Sequence, residues 1–208
     1  MPIRIILLLM ASLCSATFST VLPAHPLSAY AAADGYGGFM AGFFHPVLGW
    51  DHLLAMLSVG IISAQIGGAA IWRVPLTFVT TMVVGGLLGY LALPFLPMEV
   101  GIALSVVFLG AFITLKPHVR TPWAMAFVAF FALFHGYAHG AEMPVLVKPW
   151  IYAAGFVFGT ALIHIAGVAI GWFMTRSTAL AYGLRASGAV IAGAGIWFLM
   201  QTLQGATL

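Results

Sequence analysis

Charged side chains are scarce in this sequence. Its 208 residues include seven Lys or Arg and four Asp or Glu, so charged residues make up only 5% of the chain. So few charges exclude an ordinary soluble surface and a basic face for nucleic acid. Hydrophobic residues account for 63% of the chain and the mean hydropathy is +1.12. The composition therefore predicts an integral membrane protein.

Cysteine is nearly absent as well. The single Cys14 lies in the first apolar run, which excludes an intramolecular disulfide and disfavours a metal site built from thiolates. The sequence also has no G-x-x-x-x-G-K-S/T loop, no H-E-x-x-H pair and no G-x-S-x-G turn. These absences argue against an ATP-driven pump, a zinc protease of that class and a serine hydrolase.

The apolar runs do not alternate in the way that strands of a membrane β-barrel do. Helices are then the structure that satisfies every backbone hydrogen bond in lipid, so the predicted fold class is all-α, a polytopic bundle. A span needs about 20 apolar residues. The six predicted spans are residues 37–65, 74–93, 98–115, 122–141, 150–174 and 183–203.

The N-terminus resembles a secretory signal, with Arg4, then the apolar "IILLLMASL", then small residues. We expect a cleavable signal peptide over residues 1–24, with "CSA", "LPA" and "AYA" as alternative cleavage points. An extracytoplasmic segment (25–36) and the six-span domain (37–208) follow. The alternative is that residues 3–22 stay as an uncleaved helix.

The few positive charges are distributed unevenly among the predicted loops. If the mature N-terminus is outside, one cation falls outside, Lys148, and five fall inside: Arg73, Lys116, Arg120, Arg176 and Arg185. This distribution follows the positive-inside rule and predicts an extracytoplasmic N-terminus.

The first predicted span contains "HPVLGWDH", with His45, Asp51 and His52. Ionisable groups inside a span are costly and by default mark a site or a pathway. In a regular helix His45 and His52 lie within about 20° of one face, and Asp51 about 100° from His52. Pro46 either kinks this helix or begins it, and both alternatives would free backbone carbonyls beside His45.

The fourth predicted span contains "FHGYAHGAE", with His135, His139 and Glu142 at i, i+4 and i+7. They form one stripe within about 40°. Imidazole suits nickel, cobalt, copper and zinc, and a carboxylate neutralises charge. Spans one and four are antiparallel, so both motifs fall in the same outer half of the membrane and predict one cation site.

The other polar residues allow simpler interpretations. His164 is either a packing residue or part of a pathway, and His25 is a mobile residue or helps to capture metal. His118 lies in a solvent-exposed loop, and Glu99 caps the third span. Glycine pairs four residues apart are expected to bring helices close together: Gly85 and Gly89, Gly136 and Gly140, Gly155 and Gly159, Gly167 and Gly171.

At the two His motifs the sequence resembles the HupE/UreJ family of nickel and cobalt permeases. The resemblance implies import of Ni²⁺, or of Co²⁺, across the bacterial cytoplasmic membrane by a protein that is not an enzyme and has no prosthetic group. It also implies an indirect link to maturation of urease, hydrogenase or a cobalt cofactor. The implied metal ligands are His45, Asp51, His52, His135, His139 and Glu142. Many members carry further histidines after the leader, where this chain has only His25.

Buried histidines and a carboxylate are also typical of two other functions. An intramembrane zinc-dependent hydrolase would use the His and Asp cluster to activate water. A membrane cytochrome would use the histidines as axial haem ligands, and a purified sample would then be coloured.

Overall fold

The computed structural model describes residues 37–93, 97–143 and 148–205. These residues form seven α-helices and no strand. We number them α1 (Gly37–Leu48), α2 (Trp50–Ile66), α3 (Ala70–Tyr90), α4 (Met98–Leu115), α5 (Thr121–Ala141), α6 (Pro149–Met174) and α7 (Thr178–Gly205). The expected signal peptide (1–24) and the segment 25–36, which includes His25, lie outside the described residues.

Five helices, α3 to α7, are long and apolar enough to cross a membrane. The pair α1 and α2 passes the same length and composition test together, which gives up to six spans, but it bends by 79° at Gly49. The chain is therefore a multi-pass, all-helical membrane protein. The span expected over residues 37–65 is thus a broken pair of helices, and the break lies at Gly49 rather than at Pro46.

Two predicted helix starts were too late. Helix α3 begins at Ala70 rather than at residue 74, and α7 begins at Thr178 rather than at residue 183. Pro75 is accommodated inside α3 because a proline removes only one helical hydrogen bond, the one to the Ile71 carbonyl. Arg185 lies within α7, and its Nε donates a hydrogen bond to the carbonyl oxygen of Thr114, 2.7 Å away.

Pro46 neither kinks the first span nor begins it. It lies in the last turn of α1, and the helix continues to Leu48 before the chain breaks at Gly49. The His45 carbonyl is not freed, because it accepts a hydrogen bond from the Gly49 amide at 3.3 Å. Because Pro46 has no N–H, it removes the helical donor of the Gly42 carbonyl, four residues before it.

Glycines allow the helices to approach closely, as the sequence predicted. A Cβ at Gly140 would overlap the backbone of Gly86, so α3 and α5 lie against each other through their glycines. On α6, a Cβ at Gly155 would overlap α1 and one at Gly167 would overlap α2. Such small-residue contacts stabilise helix pairs in lipid, where the hydrophobic effect gives little attraction between them. Helix α6 therefore holds both halves of the broken segment.

The two ends of the bundle differ in charge. One end, which we call the basic end, carries five cations near helix termini: Arg73, Lys116, Arg120, Arg176 and Arg185. There the Arg176 guanidinium lies 3.6 Å from the centre of the Trp172 ring. The opposite end, which we call the acidic end, carries Glu99 and Glu142 together with one cation, Lys148.

Candidate functional site

Four histidines from the two motifs meet inside the acidic end of the bundle. The His139 ring centre lies 4.6 Å from that of His45 and 4.4 Å from that of His52. The His52 ring centre lies 4.8 Å from that of His135. The rings thus form a continuous series between α1, α2 and α5, which we call the imidazole cluster (His45, His139, His52 and His135).

The break at Gly49 brings His45 and His52 to this cluster from different helices. His45 lies in the last turn of α1, His52 lies in the first turn of α2, and their ring centres are 6.4 Å apart. A Cβ at Gly49 would lie 3.2 Å from both Asp51 Oδ1 and His52 Nδ1, so the bend leaves little room for a side chain. The two histidines therefore share the cluster although they do not share a helix face.

Asp51 determines which nitrogen of His52 faces the cluster. His52 Nδ1 lies 2.7 Å from Asp51 Oδ1, and the His52 backbone N–H donates to the same oxygen at 2.7 Å. An ionised carboxylate only accepts, so Nδ1 carries the proton and Nε2 keeps its lone pair. Nε2 is buried and has no hydrogen-bond partner. A carboxylate behind an imidazole is the usual support of a histidine that binds metal.

Ser105 of α4 determines which nitrogen of His135 carries the proton. Its hydroxyl donates to the Ile102 carbonyl at 2.6 Å, so it can only accept from His135 Nε2, 2.8 Å away. The proton of His135 is therefore on Nε2, and Nδ1 keeps its lone pair. Nδ1 is also buried without a hydrogen-bond partner. In two imidazoles of the cluster, a neighbouring side chain thus binds one ring nitrogen and leaves the lone pair of the other nitrogen available.

His139 lies at the centre of the cluster and is only 2% exposed. Neither of its ring nitrogens has a hydrogen-bond partner. Its ring centre lies 3.9 Å from that of Phe156 on α6, and this contact fixes its position by packing alone. A buried imidazole without partners is costly in the free protein, and a bound ligand would remove that cost.

His45 and Glu142 form the outermost part of the cluster at the acidic end. His45 Nε2 lies 3.7 Å from Glu142 Oε2, and the two side chains are 23% and 45% exposed. The other nitrogen of His45, Nδ1, lies 2.9 Å from the Tyr152 hydroxyl of α6. His45 is the most exposed histidine of the cluster, and Glu142 lies beside it.

The charges of three carboxylates act on this region. The charge of Glu99, in the first turn of α4, interacts with those of Asp51, Glu142 and His52. The expected capping hydrogen bond is not made, because the N-cap residue is Pro97 and no side chain caps α4. The charge of Glu99 lies near the helix N-terminus and adds to the negative field at the acidic end. Such a field raises the local concentration of cations.

An apolar cavity of about 340 Å³ lies between α3, α5 and α6 at the acidic end. Its wall includes His139, Tyr152 and Phe156. The His139 ring therefore lies next to open space, but few polar groups line this cavity. The polar groups beside the cluster that reach solvent are instead Glu142, Asp51 and His45, whose side chains are 45%, 27% and 23% exposed.

The cluster is not a preformed cage. Within the described ranges, no three His, Cys, Asp or Glu side chains are already arranged to hold one metal ion. The two motifs nevertheless bring six candidate ligands to one place: His45, Asp51, His52, His135, His139 and Glu142. Binding of an ion by several of these groups requires some of the rings to rotate.

Three residues of this region were missed in the sequence. Ser105 and Tyr152 hold His135 and His45, and Phe156 packs on His139. Ser105 could have been noticed as a polar side chain inside an apolar span, and Tyr152 and Phe156 as an i, i+4 aromatic pair. Neither pattern indicates which histidine is contacted.

The remaining candidates lie away from the cluster. His164 is buried on α6, with its ring centre 5.2 Å from that of Phe78, and His118 is exposed in the loop before α5. The Phe78 ring centre lies 5.6 Å from that of His135, so this one ring contacts both His164 and the cluster.

Residues 13–198 match the family described as HupE / UreJ protein. The chain belongs to the HupE/UreJ family. It is 38% identical over 160 residues to Protein HupE of Rhizobium leguminosarum bv. viciae, an alignment that covers 76% of this chain and 84% of the relative. No solved structure matches the chain. The matched residues of this HupE/UreJ protein include both His motifs and all of α1 to α6.

Proposed function

We propose that this chain is a secondary permease that imports a divalent transition-metal cation, with Ni²⁺ as the first substrate and Co²⁺ as the second. The observation that carries the proposal is the imidazole cluster, which joins the two motifs and keeps buried ring nitrogens free of hydrogen bonds. Membership in the HupE/UreJ family supports it. The cation is the transported substrate, and no prosthetic group is proposed.

Each group has a role in this proposal. Glu142 and His45 receive the partly dehydrated cation, and His139, His52 and His135 bind it through ring nitrogens. Asp51 orients His52 and supplies negative charge. Imidazole and carboxylate ligands suit nickel and cobalt. A site that must assemble by ring rotation also binds weakly enough to release its ion, which transport requires.

We place the protein in the bacterial cytoplasmic membrane with its mature N-terminus outside. The contrast between the basic and acidic ends supports this orientation through the positive-inside rule. The cluster then opens to the extracytoplasmic side, and the cation would go on to serve urease, hydrogenase or cobalt-cofactor maturation. Nucleic acid is not a partner in this proposal.

The intramembrane zinc hydrolase is less well supported. A catalytic zinc site keeps three protein ligands at fixed positions and one open position. The described residues contain no such preformed group of three. The family also gives no support to a haem protein, and a colourless purified sample would dismiss that function.

Uptake of labelled Ni²⁺ and Co²⁺ by cells that express the chain tests the proposal. We expect wild-type cells to accumulate metal above cells without the chain, and His52→Ala and His139→Ala each to abolish the difference. His118→Ala is the matched control, because His118 is exposed and distant from the cluster. Normal uptake in both cluster variants, with all variants present in the membrane, would refute the site.

A further inference from the structure

Helix α6 carries a second buried polar position, deeper in the bundle than the imidazole cluster. His164 is 2% exposed and Thr160, one turn before it, is fully buried. Both ring nitrogens of His164 and the hydroxyl of Thr160 lack a hydrogen-bond partner. Three orphan polar atoms within one helical turn are costly in an apolar span unless something binds them at times.

These two residues continue a stripe that begins at the cluster. Tyr152, Phe156, Thr160 and His164 follow one another at i, i+4, i+8 and i+12, so they form a stripe that winds about 120° round α6. Tyr152 contacts His45, Phe156 contacts His139, and His164 contacts Phe78. The stripe therefore runs from the exposed end of the cluster, past its centre, to a point beyond it.

The Phe78 ring of α3 contacts both polar positions. It is fully buried, and its centre is 5.6 Å from that of His135 and 5.2 Å from that of His164. The last imidazole of the cluster and His164 thus contact the same aromatic ring. A cation that leaves His135 toward the basic end meets His164 as the next imidazole.

We propose that His164 and Thr160 form an inner transfer site for the same divalent cation. The ion binds one His164 nitrogen and the Thr160 hydroxyl, keeps part of its hydration shell, and passes on toward the basic end. A single imidazole with one hydroxyl holds a cation more weakly than the cluster does. Two sites of unequal strength along one path allow entry at one site and release from the other. This inference rests on the proposed transport function.

The test separates binding at the cluster from passage beyond it. Purified wild type and variants would be compared for Ni²⁺ affinity by equilibrium dialysis, and in proteoliposomes for initial rates of Ni²⁺ uptake. We expect His164→Leu to keep the affinity within about twofold, because the cluster is intact, and to lower the uptake rate about tenfold or more, the loss that a damaged metal site typically shows. Thr160→Val, which keeps the shape of the side chain, should lower the rate less.

Ser58→Ala is the matched control for Thr160→Val. The Ser58 hydroxyl is also fully buried and unpartnered. Ser58 lies about 200° round α2 from Gly60, and Gly60 is the residue that meets the His164 backbone, so Ser58 points away from α6. We expect its variant to transport at the wild-type rate.

A ligand replacement distinguishes binding from packing. His164→Cys should restore a substantial part of the rate and shift the preference among metals toward Zn²⁺, because a thiolate is a softer ligand. Wild-type uptake by His164→Leu would overturn the inner site, and so would a Cys variant as slow as the Leu variant with unchanged affinity. Should His164→Leu not fold, the Cys and Thr160→Val variants decide by the same criteria. Absence of uptake by wild type would instead refute the proposed function itself.

Discussion

The two His motifs reach the same cluster by different structural means. The first lies on a helix pair broken at Gly49 and contains its own orienting group, Asp51, next to His52. The second lies on the unbroken helix α5, and its orienting group, Ser105, comes from α4. The comparison shows that a short motif contains its ligands but not all of the groups that hold them. Substitutions of the orienting groups test how much each kind of support contributes.

The largest effect is expected for Asp51→Asn. The amide can still accept from His52 Nδ1, but it removes the negative charge and no longer fixes the tautomer. Loss of an orienting carboxylate typically costs about 10- to 100-fold in metal affinity or activity. Labelled Ni²⁺ uptake and Ni²⁺ binding should both fall by this order. Unchanged uptake would show that the local support of the first motif is dispensable.

A smaller effect is expected for Ser105→Ala. His135 then loses the hydrogen bond from its Nε2 to the Ser105 hydroxyl and becomes free to change tautomer, so uptake should fall by about tenfold. Ser63→Ala is the matched control. The Ser63 hydroxyl makes the same kind of buried bond, to a carbonyl three residues earlier at 2.7 Å, and makes no hydrogen bond to a histidine among the described residues. Equal uptake by the two variants would contradict a specific role for Ser105.

The smallest effect is expected for Tyr152→Phe. This change removes the hydroxyl bonded to His45 and keeps the ring that stacks with Phe156. A neutral hydrogen bond contributes about 1 kcal/mol, which corresponds to about a fivefold change in affinity. Tyr137→Phe is the control, since the Tyr137 hydroxyl donates a hydrogen bond to the Leu93 carbonyl at 2.8 Å. A larger loss than that of Ser105→Ala would reverse the proposed order.

Much of the fold could be predicted from the sequence because apolar length and charge determine membrane spans directly. The all-α class, the approximate limits of α4, α5 and α6 and the glycine contacts were confirmed. The break at Gly49 could not be predicted from Pro46, because a proline in the last turn of a helix removes a bond without ending the helix there. The φ of −83° at Gly49 is open to any residue, so the sequence gives no conformational signal for the bend.

Part of the candidate site could be predicted because residue spacing determines which side chains share a face of a regular helix. The spacing of His135, His139 and Glu142 defines a stripe in any regular helix, and α5 is regular. Contacts between helices depend on rotation about each helix axis, which spacing within one helix does not define. Ser105, Tyr152 and Phe156 contribute through such contacts and were therefore not identified.

A double-mutant cycle on Ni²⁺ affinity tests most directly whether the two motifs form one site. Affinities of purified wild type, His52→Ala, His139→Ala and the double variant would be measured by equilibrium dialysis, with His118→Ala as the control. If both histidines bind the same ion, the loss in the double variant is clearly smaller than the sum of the two single losses, because residues in contact are strongly coupled. Additive losses within about 0.5 kcal/mol would mean that the motifs act independently, and would contradict a shared cation site.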